Sequence, residues 1–266
     1  NLGMFAPYVA KVISRHRAEF LYGIVAADIT MGKNFARSIH HCHAWSVAKA
    51  MHAEALSEAS HSFCYGYQAH LASDAIAHSY YIPNKLIISY RHHAMRHTYW
   101  ETRFESYLGP EVWSKARVLA RRSFAEQDEL MQKALRRTLF PFKVNKQIFN
   151  SMMLLGRLKR WQQLVAAQSR RSQVLLKPER VQHYIDLSIE ASMDFLSNPD
   201  SASIMAMDPT GREAIRAARS IRRNLRWLDR RGLLKVQILD EIALEFTPPK
   251  LGPLIENIER FPMLAV

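Results

Sequence analysis

Three titratable side chains recur at every fourth position of one apolar segment. His70, Asp74 and His78 follow this spacing, with Ala, Leu, Ser and Ile between them. At about 3.6 residues per turn, the three side chains fall within an arc of about 80° on one helix face. Titratable groups on a buried face are costly unless they are paired or bind a cation. Because zinc accepts imidazole nitrogen and carboxylate oxygen atoms as ligands, the spacing predicts a metal-binding face.

Further histidines and carboxylates flank this segment. Downstream, His97 and Glu101 share a helix face at the same four-residue spacing, next to aromatic residues; upstream, Asp28 ends an apolar run, and a His-rich run containing His41 and His43 follows. With one upstream histidine counted, the set offers seven ligands, which is too many for one tetrahedral ion and suits two or three. The pattern predicts a multi-zinc hydrolase, in which the ions polarise a phosphoryl oxygen and activate water.

The rest of the sequence predicts helices almost throughout, and these must position the ligands. From apolar periodicity and from caps and breakers we expect helices over 5–22, 45–56, 60–81, 86–107, 111–139, 147–170, 178–197 and 212–231, with a bend over 23–33. The expected fold is all-α, with one compact helical domain over residues 1–197 and a basic helical extension over residues 198–266.

Composition and charge narrow the class of protein. The 266 residues include only two cysteines and nine glycines, which excludes a disulfide scaffold, and no Gly-rich phosphate-binding motif occurs. No stretch approaches the roughly 18 uncharged apolar residues that a membrane-spanning helix needs. The formal charge of +13 is uneven, with +3 over residues 1–106 and +10 over residues 107–266. The basic half is either a solvated helical surface or a site of attraction to a polyanion or an anionic lipid surface.

These motifs together resemble the zinc-dependent phospholipase C family. The likeness covers about residues 21–105 and is carried by Tyr22-Gly23, Asp28, His43-Ala44-Trp45, the H-x3-D-x3-H segment 70–78 and His97-x3-Glu101. The H-x3-D-x3-H spacing is more similar to the amino-terminal domain of glycosylphosphatidylinositol-specific phospholipase D than to secreted phospholipases C or trinuclear zinc nucleases. The resemblance implies a multi-helix bundle around a multi-zinc site.

The resemblance also implies a role for each ligand. One zinc would be held by Asp28, His43, His70 and Asp74, and a second by His78, His97 and Glu101. Asp74 would bridge to a third zinc, whose other ligands in the family are an N-terminal Trp and a nearby His. Asp28 is the candidate for orienting or deprotonating the attacking water. His43 is preferred over His41 because an aromatic residue follows it closely, as in the family.

The chain departs from the family at its N-terminus. It has no Trp before Trp45, and His16 does not match the position of the family's histidine, so the half-site for the third zinc is missing. We expect the natural N-terminal segment to lie upstream of Asn1, and this chain to hold two zinc ions well and a third poorly. Two unpaired cysteines favour a cytoplasmic or membrane-peripheral location, whereas a missing N-terminus leaves secretion open.

The expected function is hydrolysis of phosphodiester bonds by a zinc enzyme of phospholipase C type, with phospholipid or an anionic membrane surface as partner. A zinc nuclease on the same metal site is the alternative that the basic half favours. A non-enzymatic, zinc-stabilised helical module that binds membranes or nucleic acid is the alternative that the missing half-site favours. The basic helix 212–231 carries a stripe of Arg212, Arg216, Arg219 and Arg223, which either contacts one of these anionic partners or only faces solvent.

Overall fold

The computed structural model describes residues 2–29, 41–92, 97–135, 141–155 and 178–234, and no strand occurs among them. The all-α fold expected from the sequence is therefore confirmed. The α-helices of these residues, numbered in chain order, are α1 (Pro7–Arg15), α2 (Arg17–Ala26), α3 (Trp45–Glu54), α4 (Glu58–Ile76), α5 (Ile82–Ile88), α6 (His97–Glu105), α7 (Pro110–Arg121), α8 (Ala125–Ala134), α9 (Phe142–Leu155), α10 (Pro178–Ser197) and α11 (Arg212–Arg230). A π-helical turn, Ala77–Tyr81, joins α4 to α5, and short 3-10 helices span Leu2–Met4 and Ser203–Ala206.

Helix α4 is the central element of the bundle. Ser57 caps its N-terminus, since the Ser57 hydroxyl accepts a hydrogen bond from the Ser60 N–H at 3.0 Å. Side chains are buried on nearly every face of α4, and helices α1, α2, α3, α8 and α10 all contact it. A helix surrounded in this way keeps the polar side chains that it carries in a fixed orientation.

Helix α4 packs into two hydrophobic cores, each formed with a different set of neighbouring helices. The first contains side chains from α1, the π-helical turn, α5, α6, α10 and α11, among them Val12, Tyr80, Trp100, Phe195 and Ala218. The second contains side chains from α2, α3, α7 and α8, among them Tyr22, Met51, Leu119 and Met131. Residues of α4 contribute to both cores, so this helix couples the two halves of the bundle.

Helices α2 and α4 pack backbone to backbone. A Cβ atom on Gly23 would lie 2.1 Å from the carbonyl oxygen of Phe63, and one on Gly66 would lie 2.0 Å from the carbonyl oxygen of Phe20. No side chain fits at either position, and the two glycines allow the close approach. The bend predicted over 23–33 is therefore wrong for residues 23–26, which belong to α2. Gly23 allows the close contact between α2 and α4 instead of a bend.

Two of the predicted helices are each divided into two shorter helices, whose side chains pack in different places. The predicted helix 5–22 divides at His16, where φ is −124° and ψ is 52°, because α1 packs into the first core and α2 into the second. The predicted helix from beyond Pro110 to Leu139 divides after Arg121. The break turns Phe124 onto Tyr22, where the two rings stack with centroids 4.1 Å apart.

The predicted helix 60–81 is expected to end because Pro83 follows it, but the helical backbone continues past Pro83. The π-helical turn precedes it, and the Ile82 N–H donates to the carbonyl of Ala77 across five residues. Because this wider turn changes the hydrogen-bonding register, α5 begins with Pro83 in its first turn, where no amide hydrogen is needed. The predicted helix 86–107 is also wrong, since α5 ends at Ile88 and α6 begins at His97.

The segment that follows residue 197 packs on the bundle. Ile215, Ala218 and Leu225 of α11 belong to the first core, together with residues of α1 and α4. The predicted helices 178–197 and 212–231 are confirmed. The division into domains 1–197 and 198–266 stays a prediction, and the expected features in residues 30–40, 93–96, 136–140, 156–177 and 235–266 lie outside the described residues. No helix of the described residues is long and apolar enough to span a membrane.

Candidate metal centre

The fold brings all seven residues of the predicted ligand set into one region. Asp28 follows the end of α2, His43 precedes α3, His70 and Asp74 lie on α4, His78 lies in the π-helical turn, and His97 and Glu101 lie on α6. Six of them form two groups of three whose ligand atoms lie within 4.8 Å of one another, namely Asp28, His43 and His70, and His78, His97 and Glu101. Asp74 lies between the two groups. Their role as ligands stays a prediction.

The first group joins the end of α2 to the middle of α4. The Nε2 atom of His43 lies 3.3 Å from Oδ1 of Asp28, and Nε2 of His70 lies 3.9 Å from Oδ2 of Asp28. The same Nε2 of His43 is 3.2 Å from the carbonyl oxygen of Ala27, which helps to hold the ring against the turn after α2. The close approach of α2 and α4 at Gly23 and Gly66 makes this meeting possible.

The second group joins the π-helical turn to α6. Oε1 of Glu101 lies 3.3 Å from Nε2 of His78 and 3.0 Å from Nε2 of His97. His97 and Glu101 lie one turn apart on α6, as the four-residue spacing predicts, whereas His78 contacts Glu101 from 23 residues earlier in the chain. Two imidazoles and one carboxylate are a ligand set that zinc accepts.

Asp74 connects the two groups through one oxygen atom. Its Oδ2 lies 3.0 Å from Nδ1 of His43, 3.2 Å from Nε2 of His70 and 3.8 Å from Nδ1 of His78. Burial disfavours the charge on this carboxylate, but the three histidines outweigh burial and hold the pKa of Asp74 well below its ordinary value. An ionised carboxylate oxygen shared by three imidazoles is suited to bridging cations.

Two buried polar atoms test whether the site fits a metal. The Oδ2 atom of Asp74 and the Nε2 atom of His97 are both inaccessible to solvent. Each lies at ion-pair distance from another member of the ligand set, His43 and Glu101 respectively, but neither forms an aligned hydrogen bond with the described residues. Buried polar atoms that lack an aligned hydrogen bond cost free energy, which a bound cation would recover. The donor chemistry and these two atoms together fit zinc.

One side of the site is open. The side chains of Asp28 and Glu101 are 48% and 42% exposed, whereas His43 and His78 are buried behind them. A catalytic zinc site needs such an opening for water and substrate, which a structural site lacks. The arrangement therefore presents two carboxylates at an accessible edge, with the imidazoles of His43 and His78 buried behind them.

The ionisation of His78 and Glu101 depends on the charged groups that surround them. Burial lowers the pKa of His78, but the charges of Asp74 and Glu101 outweigh burial and raise that pKa to about 9. Burial raises the pKa of Glu101, but hydrogen bonds and charges from His78 and His97 lower it to about 2. Without a metal, His78 is therefore an imidazolium at neutral pH, and a cation that binds there must displace its proton.

A loop that the sequence did not point to holds His78 from behind. The Nδ1–H of His78 donates to the carbonyl oxygen of Pro209 at 2.7 Å, which leaves Nε2 to face Glu101. Gly211 has φ of +52°, and a Cβ there would lie 2.3 Å from the His78 carbonyl oxygen. Trp45 holds the same loop, because its Nε1–H donates to the Met207 carbonyl at 2.9 Å. The positive φ of Gly211 depends on the fold, and no motif in the sequence signals it.

Glu105 is a further carboxylate near the site that sequence analysis missed. It lies one turn beyond Glu101 on α6. Desolvation, together with the charges of Asp28 and Glu101, raises the pKa of Glu105 to about 7. Its four-residue distance from Glu101 was the available signal, since His97, Glu101 and Glu105 share one helix face.

The remaining candidates lie in other environments. The ring of His41 accepts a hydrogen bond from the backbone N–H of His43 at 3.1 Å, whereas the ring of His43 contacts Asp28 and Asp74. His16 lies at the break between α1 and α2, where its Nε2 is 4.0 Å from Glu58. Cys42 and Cys64 are buried and form no disulfide with each other, and burial raises the pKa of Cys64 to about 12. The choice of His43 over His41 stays a prediction that these contacts favour.

Comparison with known proteins gives one family. The family described as zinc dependent phospholipase C matches residues 2–147, which is more than half of the chain and includes all seven residues of the predicted ligand set. No curated protein and no solved structure matches the chain.

Proposed function

The chain belongs to the zinc-dependent phospholipase C family, and on that premise we propose that it hydrolyses the phosphodiester bond of phospholipids. The observation that carries the proposal is the position of Asp74 between the two ligand groups, with one buried oxygen atom close to three imidazoles. An oxygen in this position would be available to more than one bound cation, and paired cations would supply the charge stabilisation that displacement at phosphorus needs.

The proposed ligands follow the two groups. Asp28, His43, His70 and Asp74 would hold one zinc, His78, His97 and Glu101 would hold a second, and Asp74 would also supply a ligand to a third. Bound zinc would polarise a phosphoryl oxygen and make water more acidic. The Pro209 carbonyl keeps the Nε2 atom of His78 directed at the site, so this ring needs no reorientation when a metal binds.

Asp28 is the proposed base. Its Oδ1 lies 3.3 Å from Nε2 of His43 and its Oδ2 lies 3.9 Å from Nε2 of His70, so the two imidazoles position the carboxylate, while its side chain is 48% exposed and accessible to water. From this position Asp28 accepts a proton from the attacking water as the water oxygen bonds to phosphorus. The bond from phosphorus to the lipid oxygen breaks, and a proton returns to that oxygen, which leaves a diacylglycerol and a phosphorylated head group.

A nuclease on the same site is the second candidate, and the basic charge of residues 107–266 favours it. The two functions are separated by presenting the zinc-loaded protein with phosphatidylcholine in mixed micelles and with single-stranded DNA. Release of phosphorylated head group without DNA cleavage supports the phospholipase. Cleavage of DNA without release of head group would support the nuclease. Absence of both reactions at full zinc content would support a non-enzymatic module.

A further inference from the structure

One face of helix α11 packs on the bundle, and the opposite face is exposed to solvent. Its inner face carries the buried residues Ile215, Ala218, Arg222 and Leu225, which contact the bundle. Its outer face carries six exposed arginines and one exposed carboxylate, namely Arg212, Arg216, Arg219, Arg223, Arg230, Arg231 and Glu213. With 19 residues, the helix presents this basic surface over about 28 Å. The outer face is therefore strongly positive along its whole length.

Two arginines of α11, Arg222 and Arg226, have a structural role, since they form hydrogen bonds with the bundle. Arg222 donates to the carbonyls of Ser89 and His92, and Arg226 donates to the carbonyl of Tyr90, so they satisfy carbonyls that the end of α5 leaves open. The carboxylate of Asp229 pairs with Arg91 at 2.7 Å. None of the six outer arginines forms a hydrogen bond of this kind, and no carboxylate of the described residues forms an ion pair with them.

Exposed apolar side chains lie at the C-terminal end of the same face. Trp227 is 51% exposed and Leu233 is 55% exposed. The guanidinium of Arg231 lies 4.2 Å from the centre of the Trp227 ring, and a surface groove is lined by Trp227 together with Arg223, Arg226, Arg230 and Arg231. An amphipathic aromatic ring beside guanidinium groups is the combination that favours the boundary between lipid head groups and acyl chains.

We propose that the outer face of α11 is a docking surface for an anionic phospholipid bilayer, with arginines on lipid phosphates and Trp227 in the head-group region. Charge complementarity supplies long-range attraction to the negative leaflet, and each basic residue near the surface adds to it. Trp227 and Leu233 add apolar area that a bilayer buries. A nucleic acid duplex would meet the arginines but would leave Leu233 in water, so the face fits a bilayer better.

The helix that carries the docking surface begins next to the proposed metal centre. Helix α11 begins at Gly211, whose backbone contacts that of His78, and α11 packs against α5 and the π-helical turn. A bilayer bound along α11 would therefore be held by the element that supports one of the proposed zinc ligands. This inference rests on the proposed function only in that the bilayer also contains the substrate.

The first test compares two triple variants with the same change in net charge. Arg216→Glu/Arg219→Glu/Arg223→Glu reverses the outer face, and Lys49→Glu/Lys115→Glu/Arg121→Glu reverses exposed residues on α3 and α7. Binding is measured by cosedimentation with vesicles of phosphatidylcholine, with and without phosphatidylglycerol. We expect the α11 variant to bind the anionic vesicles about a hundred-fold more weakly than the control variant, and to keep its helical circular dichroism and zinc content. Equal binding by the two variants would overturn the proposal.

The second test locates Trp227 at the bilayer. Phosphatidylcholine brominated in its acyl chains, mixed with phosphatidylglycerol, quenches tryptophan fluorescence on contact. The chain has four other tryptophans, Trp45, Trp100, Trp113 and Trp161, which are present in both proteins. We therefore expect quenching in the parent protein and a smaller quenched fraction in Trp227→Phe. Unchanged quenching in Trp227→Phe would place the contact elsewhere, and displacement of the protein from vesicles by DNA at stoichiometric amounts would reassign the face to nucleic acid.

Hydrolysis of a short-chain phospholipid below its micelle concentration separates this inference from the proposed function. The α11 variant should hydrolyse the monomeric lipid as fast as the parent does, while losing hydrolysis of vesicles. If the parent hydrolyses neither form but binds anionic vesicles through α11, the proposed function fails and the docking surface stands. Hydrolysis of vesicles at the parent rate by the α11 variant would count against the docking surface alone.

Discussion

The backbone of Gly211 lies directly against the backbone of His78, so that a Cβ atom at position 211 would be 2.3 Å from the His78 carbonyl oxygen and 2.6 Å from the His78 Cβ. The two residues are 133 positions apart in the sequence. The neighbouring Pro209 carbonyl accepts the hydrogen bond from His78 Nδ1–H. The loop 207–211, although it lies beyond the segment matched by the family, therefore orients one of the proposed zinc ligands.

Gly211→Ala should weaken zinc binding by disturbing this contact. The substitution introduces both an unfavourable positive φ and a collision with His78, so we expect zinc affinity to fall at least about ten-fold, since outer contacts of metal ligands contribute this much. Competition with a chromophoric chelator measures the affinity, and the visible spectrum of the cobalt-substituted protein reports the geometry. Gly232→Ala is the matched control, because Gly232 also has positive φ but nothing lies within 4 Å of its Cβ position. Equal zinc affinities in the two variants would refute the orienting role.

Asp74→Asn should lose metal and activity together. The amide keeps the shape of the carboxylate but removes the charge that faces His43, His70 and His78. We expect at least one fewer zinc per chain by elemental analysis, together with loss of phosphodiester hydrolysis. His92→Ala is the control. Arg222 donates to the backbone carbonyl of His92, which alanine keeps, so the zinc content of this variant should match that of the parent. Full zinc content in Asp74→Asn would reject the bridging role.

Gly66→Ala should destabilise the bundle. Its Cβ would lie 2.0 Å from the Phe20 carbonyl oxygen, so helices α2 and α4 must separate to accept it. We expect a loss of about 2–4 kcal/mol in the free energy of unfolding, as for other overpacked sites. Urea denaturation of the zinc-free protein measures the change. Gly3→Ala, where no atom lies within 4 Å, should change stability by less than about 1 kcal/mol, and a similar stability in both variants would show that the helices do not meet at Gly66.

The zinc-free and zinc-loaded proteins should respond to pH in opposite directions. In the zinc-free protein, the pKa of His78 is raised to about 9 from an ordinary value of 6.5, so its stabilising charge is fully present below pH 6.5 and is lost as pH rises through 9. Glu101 has the converse behaviour, since its stabilising charge is lost only as pH falls towards 2. Between pH 7 and 9 the melting temperature should therefore fall with a chelator present.

Zinc binding should release protons over the same range, because zinc takes only the neutral imidazole of His78. Affinity should therefore rise from pH 7 to pH 9. Titration calorimetry in two buffers of different ionisation enthalpy counts the protons released. A buffer-independent heat of binding at pH 7 would contradict an imidazolium at His78.

Local spacing accounts for the parts of the site that the sequence could predict. His70 and Asp74 are one turn apart on α4, and His97 and Glu101 are one turn apart on α6, because helix geometry alone relates residues four positions apart. The break at His16 and the passage through Pro83 could not be predicted in the same way. They depend on which core each segment enters and on the hydrogen-bond register of the π-helical turn, and both arise from contacts outside the local segment.

The sequence by itself determined the all-α class, the ligand types and the basic stripe on α11, since each follows from residue type and helical period. Only the tertiary structure decided which side chains meet. It placed Asp74 between two ligand groups, brought the Pro209 carbonyl to His78, and turned Arg222 inward while Arg223 stayed outside. These relationships join residues far apart in the chain, and their geometry depends on the packing of whole helices, which no local pattern encodes.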